Sequence, residues 1–286
     1  MASVIPSKDA VPTPDRPVLQ LSGPKLKSAL EALIRAAETI GGIETFANAA
    51  KAKSTVFQET MSEGRAGSVE LSDFEQLTAA MATVRRRIAK PIEAIGWSKV
   101  RAAIATLLDQ APDTTKADAR MKAFCATFPG DKEYRFIRDL AAEILHNVYP
   151  EHYPLMQRWV WDRKANTGVI REIWHGEDVD HLVIDIPDHY ETFLVLREEL
   201  SQFLADYGVF RDMLWYVDLL QAQIYGEYIN AQGGVYLKTD FASEADPLEH
   251  SRRILGLDSV SGRTGRSRFK TIEATSCVDD PTKRLN

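Results

Sequence analysis

The chain has 286 residues, 44% of them hydrophobic and 27% charged, and its 35 Lys and Arg against 41 Asp and Glu give a formal net charge of −6. This composition can bury a proper core but argues against a protein that coats nucleic acid, because such binding rests on neutralising phosphates with Lys and Arg. The two cysteines, Cys125 and Cys277, cannot supply a four-cysteine zinc site or a four-thiolate cluster within one chain, and they do not read as a disulfide framework.

The N-terminus carries Pro6, Pro12, Pro14 and Pro17 without the basic start and apolar run of a signal peptide. No stretch is apolar enough to span a bilayer, so a soluble, cytoplasmic protein is expected. Residues 1–24 read as a disordered, Pro-rich arm. Leu26, Leu30, Leu33, Ile34 and Ala37 share one helical face that ends at Gly41 and Gly42, and a second helix covers Ile43 to Met61. Ser72 and Glu75 open a helix through Leu77, Met81, Val84 and Ile88 that ends near Pro91. Arg85, Arg86 and Arg87 spread around that helix and read as its solvated end in preference to an anion site.

Residues 92–108 form helices broken at Gly96, and further helices follow at about 117–127 and 132–148. Pro150 and Pro154 mark a structured turn before a Trp-rich helix. The short β-branched runs Val169 to His175 and His181 to Ile186 predict a β-hairpin, joined through Gly176 to Asp180. A long helix opens at Pro187 and Asp188. The next carries Phe210, Met213, Leu214, Val217, Leu220, Ile224 and Tyr228 and stops at Gly233 and Gly234, and a short helix from Asp246 to Leu255 ends at Gly256. The predicted class is mainly α: a multi-helix domain over 25–256, a small hairpin near 169–186, and a basic, irregular tail over 257–286.

Five of the six histidines (His146, His152, His175, His181, His189) lie in one stretch, together with Trp159, Trp161 and Trp174. Histidine suits metal binding and proton transfer near neutral pH. Glu143-x-x-His146 and Glu172-x-x-His175 repeat the spacing that places two ligands on one helix face. Glu143, His146 and His175 are therefore the candidate ligands for a divalent metal. The hairpin reading opposes the second pair, because residues three apart on a strand point to opposite faces. Otherwise no cofactor is expected. Arg158 could also join Asp162, Arg163, Asn166, Arg171 and Glu172 in a polar site or a salt-bridge network.

An apolar helix ending in Leu145-His146, the turn Pro150 to Pro154, and the segment Leu155 to Val160 together resemble part of the helix-hairpin-helix DNA glycosylase relatives. Ile95-Gly96-Trp97-Ser98-Lys99-Val100 resembles their hairpin, and the resemblance covers residues 92–162. It implies DNA binding. Ser98 stands near the family's second hairpin glycine, and Gln157 or Arg158 stands where its catalytic aspartate falls, so base excision is not implied.

No Gly-x-Ser-x-Gly, Walker A loop or dinucleotide fingerprint is present, and no catalytic residue is assigned. The leading expectation is a non-catalytic helical accessory protein that binds a protein partner or a second copy of itself. Its expected contact residues are Arg158, Trp159, Trp161, Arg171, Arg263, Arg266 and Arg268. A metalloprotein with a site in 143–189 and a DNA-binding glycosylase relative are the alternatives.

Overall fold

A computed structural model describes residues 16–176, 179–233 and 248–258. Eleven α-helices occur among them: α1 (Gly23–Glu38), α2 (Ile43–Met61), α3 (Leu71–Ala79), α4 (Ala89–Ile95), α5 (Trp97–Leu108), α6 (Ala117–Ala126), α7 (Ile137–Val148), α8 (Val169–Glu172), α9 (Tyr190–Asp206), α10 (Met213–Gly233) and α11 (Glu249–Ile254). No helix of the described residues is long and apolar enough to cross a membrane.

Two helices organise the core. All of α7 except Arg138 is buried, polar residues included. It packs against α2, α5 and α6. α10 is buried around most of its circumference from Val217 to Ile224, with Asp218, Gln221 and Gln223 among the buried side chains. It packs against α1, α2, α8, α9 and α11. Phe57, Phe74, Phe136, Tyr153 and Trp161 are fully buried between these layers, and burying each such side chain contributes roughly 1.5–3 kcal/mol.

Glycines punctuate the helices where the chain must turn with positive φ. Gly96 (φ +81°) separates α4 from α5, as its place between two apolar runs predicts. Pro91 lies in the first turn of α4, where a missing N–H leaves no helical bond unmade. α3 is shorter than predicted. It closes at Ala79, and residues 80–88 continue in tight turns, with Val84 N–H donating to Met81 O (3.0 Å) and Arg87 N–H to Val84 O (2.8 Å).

The predicted β-hairpin does not form. No strand occurs among the described residues, only the isolated bridges Leu21–Trp174 and Asp162–Thr167. Val169 to Glu172 make the single helical turn α8. Residues 182–186 have no regular secondary structure and no strand partner. Side chains satisfy their backbone groups instead. Asn166 accepts from Ile184 N–H and donates to Leu182 O, Arg171 donates to Leu182 O and Val179 O, and the Trp161 indole donates to Ile186 O. Buried backbone groups need a partner, but a ladder is only one way of providing it.

The predicted Trp-rich helix is also absent. Residues 151–168 run in turns, with Asn166 at φ +54° and the Asp162 carboxylate accepting from Ala165 N–H at 3.1 Å. At the chain start, residues 1–15 lie outside the described residues. Arg16 to Gln20 have no regular structure, and Leu21 pairs with Trp174 through Ser22 N–H to Ile173 O (2.8 Å) and His175 N–H to Gln20 O (2.7 Å).

Candidate functional site: an arginine cleft with aromatic walls

The turns of residues 80–88 carry the first part of the site. Ala80, Met81, Val84 and Ile88 are buried, which pins the segment to the core and leaves Arg86 and Arg87 exposed. Arg87 also lies over the Phe136 ring, 6.0 Å from its centroid. Arg85 grips Asp258 with both terminal nitrogens, 2.8 Å each. The bond to Asp258 holds the Arg85 guanidinium pKa above its usual range, against a smaller opposing effect of burial.

The turn after Pro154 supplies the second part. Asp139, 1% exposed on α7, accepts from the Arg158 backbone N–H (3.0 Å), from Nε (3.0 Å to Oδ2) and from a terminal nitrogen (2.6 Å). Burial works against the Arg158 charge, and Asp139 more than restores it. The neighbouring Trp159 ring leans on Tyr225 of α10 at 5.6 Å between centroids, and Tyr225 leans on Tyr228 at 5.9 Å.

The third part is α11, whose docking depends on close backbone approach. Gly256 (φ +71°) sits directly against the Ala80 carbonyl, where a side chain would overlap it, and Gly226 of α10 leaves room for Ser251. This places His250 and Arg253 on the cleft, with Arg253 donating to Glu249 at 2.6 Å.

The three parts enclose a cleft of about 660 Å³. Five arginines (85, 86, 87, 158 and 253) face it, against the two carboxylates Asp139 and Asp162. Both carboxylates are engaged, Asp139 by Arg158 and Asp162 by Arg135 at 3.3 Å. Trp159, Tyr225 and Tyr228 form an aromatic wall. Thr83, also on the wall, has a buried hydroxyl with no hydrogen-bond partner among the described residues.

The candidate metal ligands are not assembled. Glu143 and His146 share α7, but both are engaged by other protein groups. Lys53 of α2 binds the Glu143 carboxylate and donates to Leu255 O at 2.8 Å. His146 sits between Tyr153 O at Nδ1 (2.9 Å) and the Asp218 carboxylate of α10 at Nε2 (3.0 Å). Acceptors on both nitrogens call for an imidazolium that donates twice. Burial opposes that charge, but Asp218 and the Tyr153 carbonyl overcome it and raise the His146 pKa. The Glu143 pKa is raised by burial, which Lys53 partly offsets. His175 is exposed beyond Trp174. Among the described residues no group of three or more His, Cys, Asp or Glu stands where it could hold a metal ion.

Of the expected partner contacts, Arg158 and Trp159 belong to the cleft. Trp161 is fully buried, and Arg171 supports residues 179–182. Arg263, Arg266, Arg268 and Cys277 lie outside the described residues. Cys125 is half-buried, and its thiol pKa is pushed up chiefly by burial, which disfavours the reactive thiolate. The Arg85–Arg87 run, expected at the solvated end of a helix, lies instead in the turns of residues 80–88 and lines the cleft. Its signal was the flanking Met81, Val84 and Ile88, which show that the run is anchored rather than free.

Comparison with models of protein families, with curated proteins and with solved structures gives no match.

Proposed function

We propose that this chain is a binding protein for a phosphorylated ligand, held in the arginine cleft. The observation that carries the reading is the convergence of five arginines, from three separate segments, on one cleft beside an aromatic wall. Arg85, Arg158 and Arg253 each have a protein carboxylate, Arg86 and Arg87 add exposed positive charge beside them, and the planar guanidinium fork matches phosphate oxygens. The cleft's volume falls in the range of small-ligand sites. The backing of Arg85 by Asp258 and of Arg158 by Asp139 fixes both guanidinium groups in place before a ligand arrives, which lowers the ordering cost of binding.

Titration calorimetry of the full chain with inorganic tripolyphosphate tests this, at about 0.01 M ionic strength where screening is weakest. Binding is expected, and the Arg86→Glu/Arg87→Glu double variant is expected to abolish it. Both side chains are exposed, so the thermal unfolding midpoint should hardly move. Absence of binding by the unaltered chain, or equal binding by the double variant, overturns the reading.

A further inference from the structure

A second cleft of about 480 Å³ adjoins the first, and the two share Thr167 and Tyr228 as lining. Their electrostatic characters differ. The first is dominated by arginines. In the second, Lys25 and Arg171 are matched by Glu172 and Glu227, with Ser28 and Gln232 adding uncharged hydrogen-bonding groups. The Lys25 ammonium is already directed to Trp174 O at 3.2 Å. A ligand lying across both clefts therefore meets cationic forks at one end, an aromatic ring midway, and a balanced polar lobe with carboxylate acceptors at the other.

We infer that the two clefts form one site for a nucleoside phosphate, with phosphates among the arginines, the base against Tyr228, and hydroxyl or amino groups reaching Glu227. This deepens the proposed function and rests on it. A polyanionic strand fits the second lobe less well than a single nucleotide does, because phosphates there would approach Glu172 and Glu227. A planar base suits the position between the lobes, since aromatic side chains accept any base by its face. A carboxylate accepts the N–H and O–H donors that a base and a ribose present.

The test compares ligands that divide the site. Calorimetry on the full chain at low salt would use tripolyphosphate, ATP, GTP, CTP and UTP, and a ten-residue oligothymidylate. At least one nucleoside triphosphate is expected to bind about tenfold or more tightly than tripolyphosphate, from the added stacking. Tyr228→Ala and Glu227→Ala, at positions only partly buried or exposed, should each shrink that advantage, and Glu227→Ala, at a position outside the arginine cleft, should not weaken tripolyphosphate binding. Equal affinity for all triphosphates and tripolyphosphate overturns the inference and leaves the anion site standing. Tight binding of oligothymidylate without nucleotide binding overturns it in favour of single-stranded nucleic acid. Failure of tripolyphosphate itself to bind removes the anion site and the inference together.

Discussion

Replacing Asp218 with alanine probes the buried charge at the centre of the molecule. The His146 and Asp218 side chains are 6% and 7% exposed, so the pair is shielded from solvent screening. Removing one partner of a buried pair costs about 3–5 kcal/mol while the other stays charged. If His146 instead gives up its proton, Nδ1 can still donate to Tyr153 O, and the residual cost is one orphaned nitrogen, about 1–3 kcal/mol. The sign of the pH dependence follows. In the native protein the His146 pKa is raised, so its stabilisation is complete below the unfolded value of about 6.5 and is lost as pH rises through the folded value. In the Asp218→Ala protein only the Tyr153 carbonyl and the Glu143 charge still oppose burial, so the neutral ring is favoured more and that loss is smaller. Urea unfolding of both proteins at about pH 6 and about pH 8.5 should therefore show a gap of about 1–5 kcal/mol at the lower pH that narrows at the higher pH. The raised Glu143 pKa lowers stability with rising pH in both proteins and largely cancels from the gap. A gap that stays constant or widens with pH would refute the imidazolium assignment.

Three further outcomes can be checked. Gly256→Ala would drive a methyl group into the Ala80 carbonyl at a backbone φ of +71°, so it should destabilise by about 3 kcal/mol or more and weaken tripolyphosphate binding, both read on the same purified protein. Asn166→Ala removes the bonds to Leu182 O and Ile184 N. A loss of about 1–2 kcal/mol is expected, and hydrogen exchange should quicken at Ile184 with α7 unaffected; equal quickening across the protein would argue against local anchoring. Arg85→Ala removes a bidentate pair whose members are 22% and 33% exposed, so after solvent screening its stability cost should stay within about 1 kcal/mol, while tripolyphosphate affinity falls severalfold. Unchanged affinity would remove Arg85 from the site.

The helices were legible in the sequence because each buries an apolar stripe against a neighbour. Leu26, Leu30 and Leu33 repeat at the spacing that α1 then buries, and Gly96 ends α4 where its positive φ is needed. Residues 169–186 misled because β-branched alternation describes an extended, half-buried chain without saying what pairs with its backbone. Here Asn166, Arg171 and the Trp161 indole take that role, and a one-dimensional pattern does not encode side-chain donors placed by a neighbouring turn. The cleft was hidden for a related reason. Three adjacent arginines diverge on a regular helix, but residues 80–88 turn too tightly to be one, and Arg158 and Arg253 reach the same space only through tertiary packing.

The buried ionic groups and the cleft are mechanically connected. Lys53 binds both Glu143 in α7 and the Leu255 carbonyl at the end of α11. α11 presents Arg253 and His250 to the cleft, and Gly256 and Asp258 join its far end to residues 80–85. One lysine thus ties the core to the helix that completes the candidate site. The paired acid and histidine spacing that suggested a metal site therefore has a different physical role. Glu143 anchors Lys53, His146 anchors α10 through Asp218, and together they hold in register the elements from which the arginines project.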